Sequence, residues 1–138
     1  MYEKILVPID GSDYSFRALC EAINLAKLTG GTITLIHVTP TGSSVVMSSK
    51  QHFYAMLQQE GKQVLSNRMK LAEEEGVKTE TLLVEGDPVE QIVKTAKQGN
   101  FSLIVMGARG LSKLAGLVVG STSQGVIKNA PCPVLVTR

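Results

Sequence analysis

Five short apolar runs, separated by four stretches with helical spacing of apolar residues, make up most of this chain. Ile5–Ile9 is apolar and ends at Asp10-Gly11-Ser12, a turn and cap signal. Leu19, Ala22, Ile23 and Ala26 then recur on one helical face. Gly30-Gly31 closes that helix, and Thr32–Val38, rich in β-branched residues, predicts a second strand. A polar loop over Thr39–Ser49 follows. Ser48 with Gln51 reads as a capping box ahead of a long helix that runs to Gly76, with Phe53, Leu57, Val64 and Leu71 on its stripe. Gly61 weakens that helix by about 1 kcal/mol relative to alanine, which points to close packing. Thr79–Val84 is the third strand. Asp87-Pro88 with Glu90 combines a cap, a proline at the first helical position and a capping-box glutamate, followed by Val89, Ile92, Val93 and Ala96 on one face. Leu103–Met106 is the fourth strand, Ser121–Asn129 the last helix with Val126, Ile127 and Ala130 on its apolar side, and Val134–Val136 the fifth strand.

Strand and helix alternate, and the strands are continuous rather than alternating apolar runs. That combination calls for a parallel sheet buried on both faces, a doubly wound α/β sandwich. In such a sheet, ligands bind beyond the carboxyl ends of the strands where the winding reverses. The first and fourth strands should flank that crevice, which brings Pro8-Ile9-Asp10 and Met106-Gly107 together, with His37-Val38 at the rim.

Composition narrows the chemistry at that crevice. With 138 residues, 43% hydrophobic and 19% charged, the chain reads as one domain over residues 1–138 with its own core. No apolar run approaches the roughly 20 residues of a membrane span, and Met1 opens no export signal, so the cytoplasm is the expected compartment. Cys20 and Cys132 are far apart, which fits reduced thiols, and His37 and His52 lack the spacing of a zinc pair. All 12 acidic residues lie at or before Glu90; beyond it stand Lys94, Lys97, Arg109, Lys113, Lys128 and Arg138 without a carboxylate. The charge is too dispersed, and too free of aromatic residues, for a nucleic-acid binder, and suits a small anion.

Five of the 13 glycines (Gly107, Gly110, Gly116, Gly120 and Gly125) crowd into 19 residues of this basic part. Even scatter would leave about two there. Gly107 and Gly110 are expected to adopt backbone angles closed to other residues and to let a ligand reach the main chain, and Gly120 to do the same at a helix entrance that favours phosphate. Neither common nucleotide fingerprint occurs; the spacing is Gly-x2-Gly-x9-Gly-Ser. There is no serine elbow, zinc motif or carboxylate pair near the loop.

This spacing, together with Lys4–Ser12, His37-Val38, Gly86-Asp87-Pro88, Val105–Gly110 and Ala130–Val136, resembles the universal stress protein family over its whole length, in its ATP-binding class. The resemblance implies a five-stranded sheet in order 3-2-1-4-5, a homodimer through the last strand, and ATP in the crevice with Mg2+ carried by its phosphates. Carried over residue by residue, it puts Asp10 at the ribose or adenine edge, with Pro8 and the backbone of Val38 around the base; Met106, a residue type more often found in a core, is a further candidate contact there. Gly107, Arg109 and Gly110 line ribose and phosphates; Gly120, Ser121, Thr122 and Ser123 offer N–H and hydroxyl groups to the phosphate tail, and Lys113 its charge. A carboxylate suits ribose hydroxyls, and cations suit phosphate oxygens. The apolar loop 111–119 is expected to pack on a partner subunit or close over the ligand. The functional expectation is an ATP-dependent regulatory module acting on a protein partner. Two alternatives stay open: a slow ATP hydrolase or autophosphorylating enzyme, and an interaction protein without nucleotide. Against the latter stands the intact glycine pattern, which a chain released from a ligand need not keep.

Overall fold

A computed structural model describes residues 1–40, 47–110 and 119–138 of the chain. In order, these form β1 (Lys4–Pro8), α1 (Asp13–Thr29), β2 (Thr32–Thr39), α2 (Met47–Glu74), β3 (Thr79–Glu85), α3 (Pro88–Gln98), β4 (Leu103–Gly107), α4 (Ser121–Asn129) and β5 (Val134–Thr137). The strands make one parallel sheet in the order β3-β2-β1-β4-β5. Each helix start has a local cause. Ser12 caps α1 by accepting from Ser15 N at 3.2 Å, and Asp87 caps α3 by accepting from Glu90 N at 2.9 Å.

The sheet separates two apolar layers. On one face Ile5, Val7, Ile33, Leu35, Leu103 and Val105 meet α1 and α2; on the other Leu6, Ile36, Ile104 and Met106 meet α3 and α4. Each such aliphatic residue, fully buried, contributes about 1.5–3 kcal/mol. The central strands β1 and β4 are buried on both faces, whereas β3 at one edge exposes Glu80, Thr81 and Leu82 and β5 at the other exposes Leu135.

Three expectations need correction. The long helix already includes Met47, so Ser48 lies within it rather than ahead of it, and Met47–Ser49 are helical, not loop. Its apolar stripe is displaced: Phe53 is 51% exposed, Leu57, Val64 and Leu71 are half-buried, and Gly61, Leu65 and Ala72 are the buried positions. On α4, Val126 is buried but Ile127 is 50% exposed. The close packing expected of Gly61 is present. A Cβ there would stand 2.6 Å from the His37 ring and 2.9 Å from Leu83, so the glycine lets α2 lie against β2 and β3.

The switch point opens because the ladders flanking β1 stop early. Lys4 and its even-numbered neighbours face β4, as the bond from Ser102 N to Lys4 O shows, so the nitrogen of Pro8 faces β4 with no hydrogen to donate. Pairing of β1 with β4 accordingly covers Ile5↔Leu103 and Leu6↔Ile104 alone. On the other side β1 and β2 pair through Pro8↔Ile36, whereas β2 and β3 stay paired to Thr39↔Glu85. The end of β2 thus overhangs the end of β1.

Candidate functional site

At this switch point lies an open cleft of about 590 Å³ counted to its mouth. Of the residues singled out above, Pro8, Asp10, Val38, Met106, Gly107, Arg109, Gly110, Thr122 and Ser123 line it. Gly120 and Ser121 are not on its wall; Ser121 is exposed at the start of α4. Lys113 and residues 111–118 of the apolar loop lie outside the described residues.

Ile9, expected there between Pro8 and Asp10, also lines it, and four further lining residues are Ser15, Ile36, Pro88 and Ile92. Ile36 was legible in principle, since it shares a strand face with Val38 at a period of two. Pro88 and Ile92 share a helical face at i, i+4, but only the tertiary fold brings that face over the cleft.

The carboxylate of Asp10 serves two sides. Its Oδ1 accepts from Ser12 N at 2.9 Å, forming the turn ahead of α1, while Oδ2 faces Gly110 across the cleft. A Cβ at Gly110 would stand 2.6 Å from that oxygen. Asp10 N donates to Ser15 Oγ at 3.4 Å, and Ser15 Oγ donates to Ser12 O at 3.0 Å, so the turn is held from within.

The glycines of the opposite wall have reasons other than the expected ones. Among the described glycines, positive φ occurs at Gly11, Gly30, Gly76 and Gly86, and not at Gly107, Gly110 or Gly120. A Cβ on Gly107 would meet the Cβ, carbonyl carbon and carbonyl oxygen of Tyr14 at 2.7–2.9 Å, so this glycine admits the first turn of α1 against β4. Gly125 likewise admits Val89 of α3. Gly120 has φ −70° and ψ 166°, open to any residue, and a Cβ there would meet Ala108 O at 3.4 Å in ordinary contact. Because packing alone accounts for Gly107, the glycine pattern does not by itself speak against a chain without nucleotide.

Some polar groups of this wall are engaged internally. Gly120 N donates to Ala108 O and Ala108 N to Thr137 O, both at 2.6 Å. Ser123 is buried, and its Oγ donates to Gly107 O at 2.7 Å, tying α4 to the end of β4. What remains is the first turn of α4. Gly120 is its cap residue and supplies no side-chain acceptor, so among the described residues no side-chain cap serves the leading N–H groups of a helix whose dipole favours an anion.

On the other face of the β2 overhang, the hydroxyls of Thr39 and Tyr54 are buried without hydrogen-bond partners. Burial, and after it the neighbouring Glu85 carboxylate, pushes the Tyr54 phenol up to about 12, although no well-formed hydrogen bond joins the two. Both cysteines are free thiols, and burial raises that of Cys132, which is half-buried against the α3/α4 layer. Among the described residues, no three His, Cys, Asp or Glu side chains group as a metal site, and no helix is long and apolar enough to cross a membrane.

A parallel sheet opened at its switch point, with an apolar wall facing an uncapped helix start, is the build of a small-anion or nucleotide site in a doubly wound protein. The universal stress protein family model matches residues 1–138, and the chain belongs to that family. A universal stress protein of Methanocaldococcus jannaschii is 39% identical over 141 residues, covering 100% of this chain and 83% of the relative. Among solved structures, UspA from Lactobacillus plantarum superposes with a TM-score of 0.92 at 29% identity, covering 99% of this chain and 98% of the other. A universal stress protein from Archaeoglobus fulgidus in complex with dAMP gives 0.75 at 27% identity over 99% and 98% of the chains. One in complex with cAMP gives 0.77 at 25% identity over 99% and 97%.

Proposed function

We propose that this chain is an ATP-binding universal stress protein, a cytoplasmic regulatory module whose state with a protein partner depends on the nucleotide in the β1/β4 cleft. The observation that carries this reading is the joining of two unlike walls in one cleft. Pro8, Ile36, Val38, Pro88, Ile92 and Met106 form an apolar slot suited to a base, and the uncapped start of α4 lies on the other side. Between them Asp10 Oδ2 is suited to ribose hydroxyls and Arg109 to phosphate oxygens. Relatives in complex with dAMP and cAMP support adenine as the base. In this reading Mg2+ arrives on the phosphates. Homodimerisation through β5 is part of the same proposal, supported by its position at the sheet edge and by exposed Leu135. Calorimetry with Mg-ATP on nucleotide-stripped protein tests the reading. Saturable heat with a rise in Tm is the expected outcome, and neither heat nor shift at millimolar ligand overturns it.

A further inference from the structure

We infer that His37 is a positioning residue for the base: its ring takes the carbonyl that would otherwise close the β1/β2 ladder, and so leaves the main-chain edge of Val38 open to the cleft. The inference rests on the proposal that an adenine nucleotide occupies this cleft.

In β2, alternate residues direct their N–H and C=O to opposite neighbours. Ile33 N donates to Lys78 O and Thr39 O accepts from Gly86 N, so the odd residues serve β3. Thr32 N donates to Glu3 O, so the even residues serve β1. Beyond the last paired residues, Ile9 N still donates to Ile36 O at 2.8 Å, and the next rung of a parallel ladder would run from Val38 N to Ile9 O. That rung is missing, and β1/β2 pairing ends at Pro8↔Ile36. In its place the His37 ring stands with Nδ1 2.7 Å from Ile9 O. A carbonyl only accepts, so Nδ1 carries the proton and donates. Among the described residues, neither N–H nor C=O of Val38 has a main-chain partner on the β1 side, and Val38 lines the cleft. One donor beside one acceptor on a strand edge matches the ring nitrogen and amino group on the Watson–Crick edge of adenine.

The ring is held where it is needed. Gly61 of α2 lies so close that a Cβ would come within 2.6 Å of His37 Cδ2 and 3.1 Å of Nε2. The glycine in α2 thereby makes room for the imidazole that opens the ladder.

Asparagine places its amide nitrogen where histidine has Nδ1, whereas leucine fills the space without a donor, so H37N and H37L separate hydrogen bonding from packing. In nucleotide-free protein, amide exchange at Val38 is expected to be fast in wild type and H37N, and slowed at least tenfold in H37L, where Val38 N closes on Ile9 O. Affinity for Mg-ATP is expected to fall at least tenfold in H37L and to be held within threefold in H37N. A protected Val38 amide in wild type, or the same exchange in all three proteins, overturns the inference whether or not ATP binds. If H37L does not fold, wild type and H37N decide: slow Val38 exchange in either, or no added protection when ATP saturates wild type, overturns it. Fast exchange with no binding of ATP by wild type fails the nucleotide reading instead.

Discussion

The two walls of the cleft are built on different principles. On the β1/β2/α3 side, apolar side chains form the surface, and polarity comes from a strand edge left unpaired at Val38. On the β4/α4 side, the lining is Gly107, Arg109, Gly110, Thr122 and Ser123, and Gly107 admits a neighbouring element rather than an unusual backbone angle. The first wall can select a flat ring by shape and edge, the second an anion by amides and dipole. Small, permissive residues in a binding loop thus do not identify themselves as ligand contacts; the atom that an added methyl would strike does.

The sharpest way to break this comparison is at Gly107. A methyl group there meets the Tyr14 Cβ at 2.7 Å and the Tyr14 carbonyl carbon and oxygen at 2.8 and 2.9 Å, and backbone cannot swing aside as the far end of a long side chain can. Gly107→Ala is therefore expected to destabilise the fold by roughly 2–3 kcal/mol, read as a lower urea midpoint at unchanged slope. A variant as stable as wild type that had lost only nucleotide binding would return Gly107 to the role of a ligand contact.

Asp10 tests whether the two walls meet at one carboxylate. Oδ1 is occupied by the turn and Oδ2 faces the cleft, so asparagine can keep the first contact while removing the charge. Asp10→Asn is expected to keep stability within about 0.5 kcal/mol and to weaken nucleotide binding roughly tenfold, about 1.4 kcal/mol. Asp10→Ala is expected to weaken binding similarly and also to lose about 1 kcal/mol of stability with the bond from Ser12 N. Equal binding in all three proteins would remove Asp10 from the site.

These contrasts explain what the sequence could and could not disclose. Element order, parallel pairing and the position of the crevice followed from period and cap chemistry, because signals such as Asp87-Pro88 and Ser12 act within a few residues. The stripe of α2 did not: Phe53 looks apolar enough to be buried, yet the burial lies at Gly61, Leu65 and Ala72, which is decided by how closely the helix approaches His37 and Leu83. The cleft divides in the same way. Pro8 and Asp10 stand next to a strand end in sequence and were expected at the cleft they line; Pro88 and Ile92 reach it across the fold, through a helix otherwise legible only as a core element. The missing rung at Val38 depends on a side chain competing with the backbone for one carbonyl, which no periodicity reports.

The smallest effect, and the one that bears most directly on the anion wall, belongs to Gly120. Its backbone angles suit any residue and its Cβ position is in ordinary contact, so Gly120→Ser should be accepted without strain. Serine is a cap residue: its hydroxyl would accept from an N–H in the first turn of α4 and raise stability by a few tenths of a kcal/mol. The same N–H groups are those proposed for the phosphates, so the new cap competes with the ligand. The expected result is a slightly higher Tm without nucleotide together with a several-fold weaker affinity for Mg-ATP, two changes of opposite sign from one hydroxyl. If the stabilised variant bound ATP as tightly as wild type, the start of α4 would not be where the phosphates lie, and the second wall would be a packing surface alone.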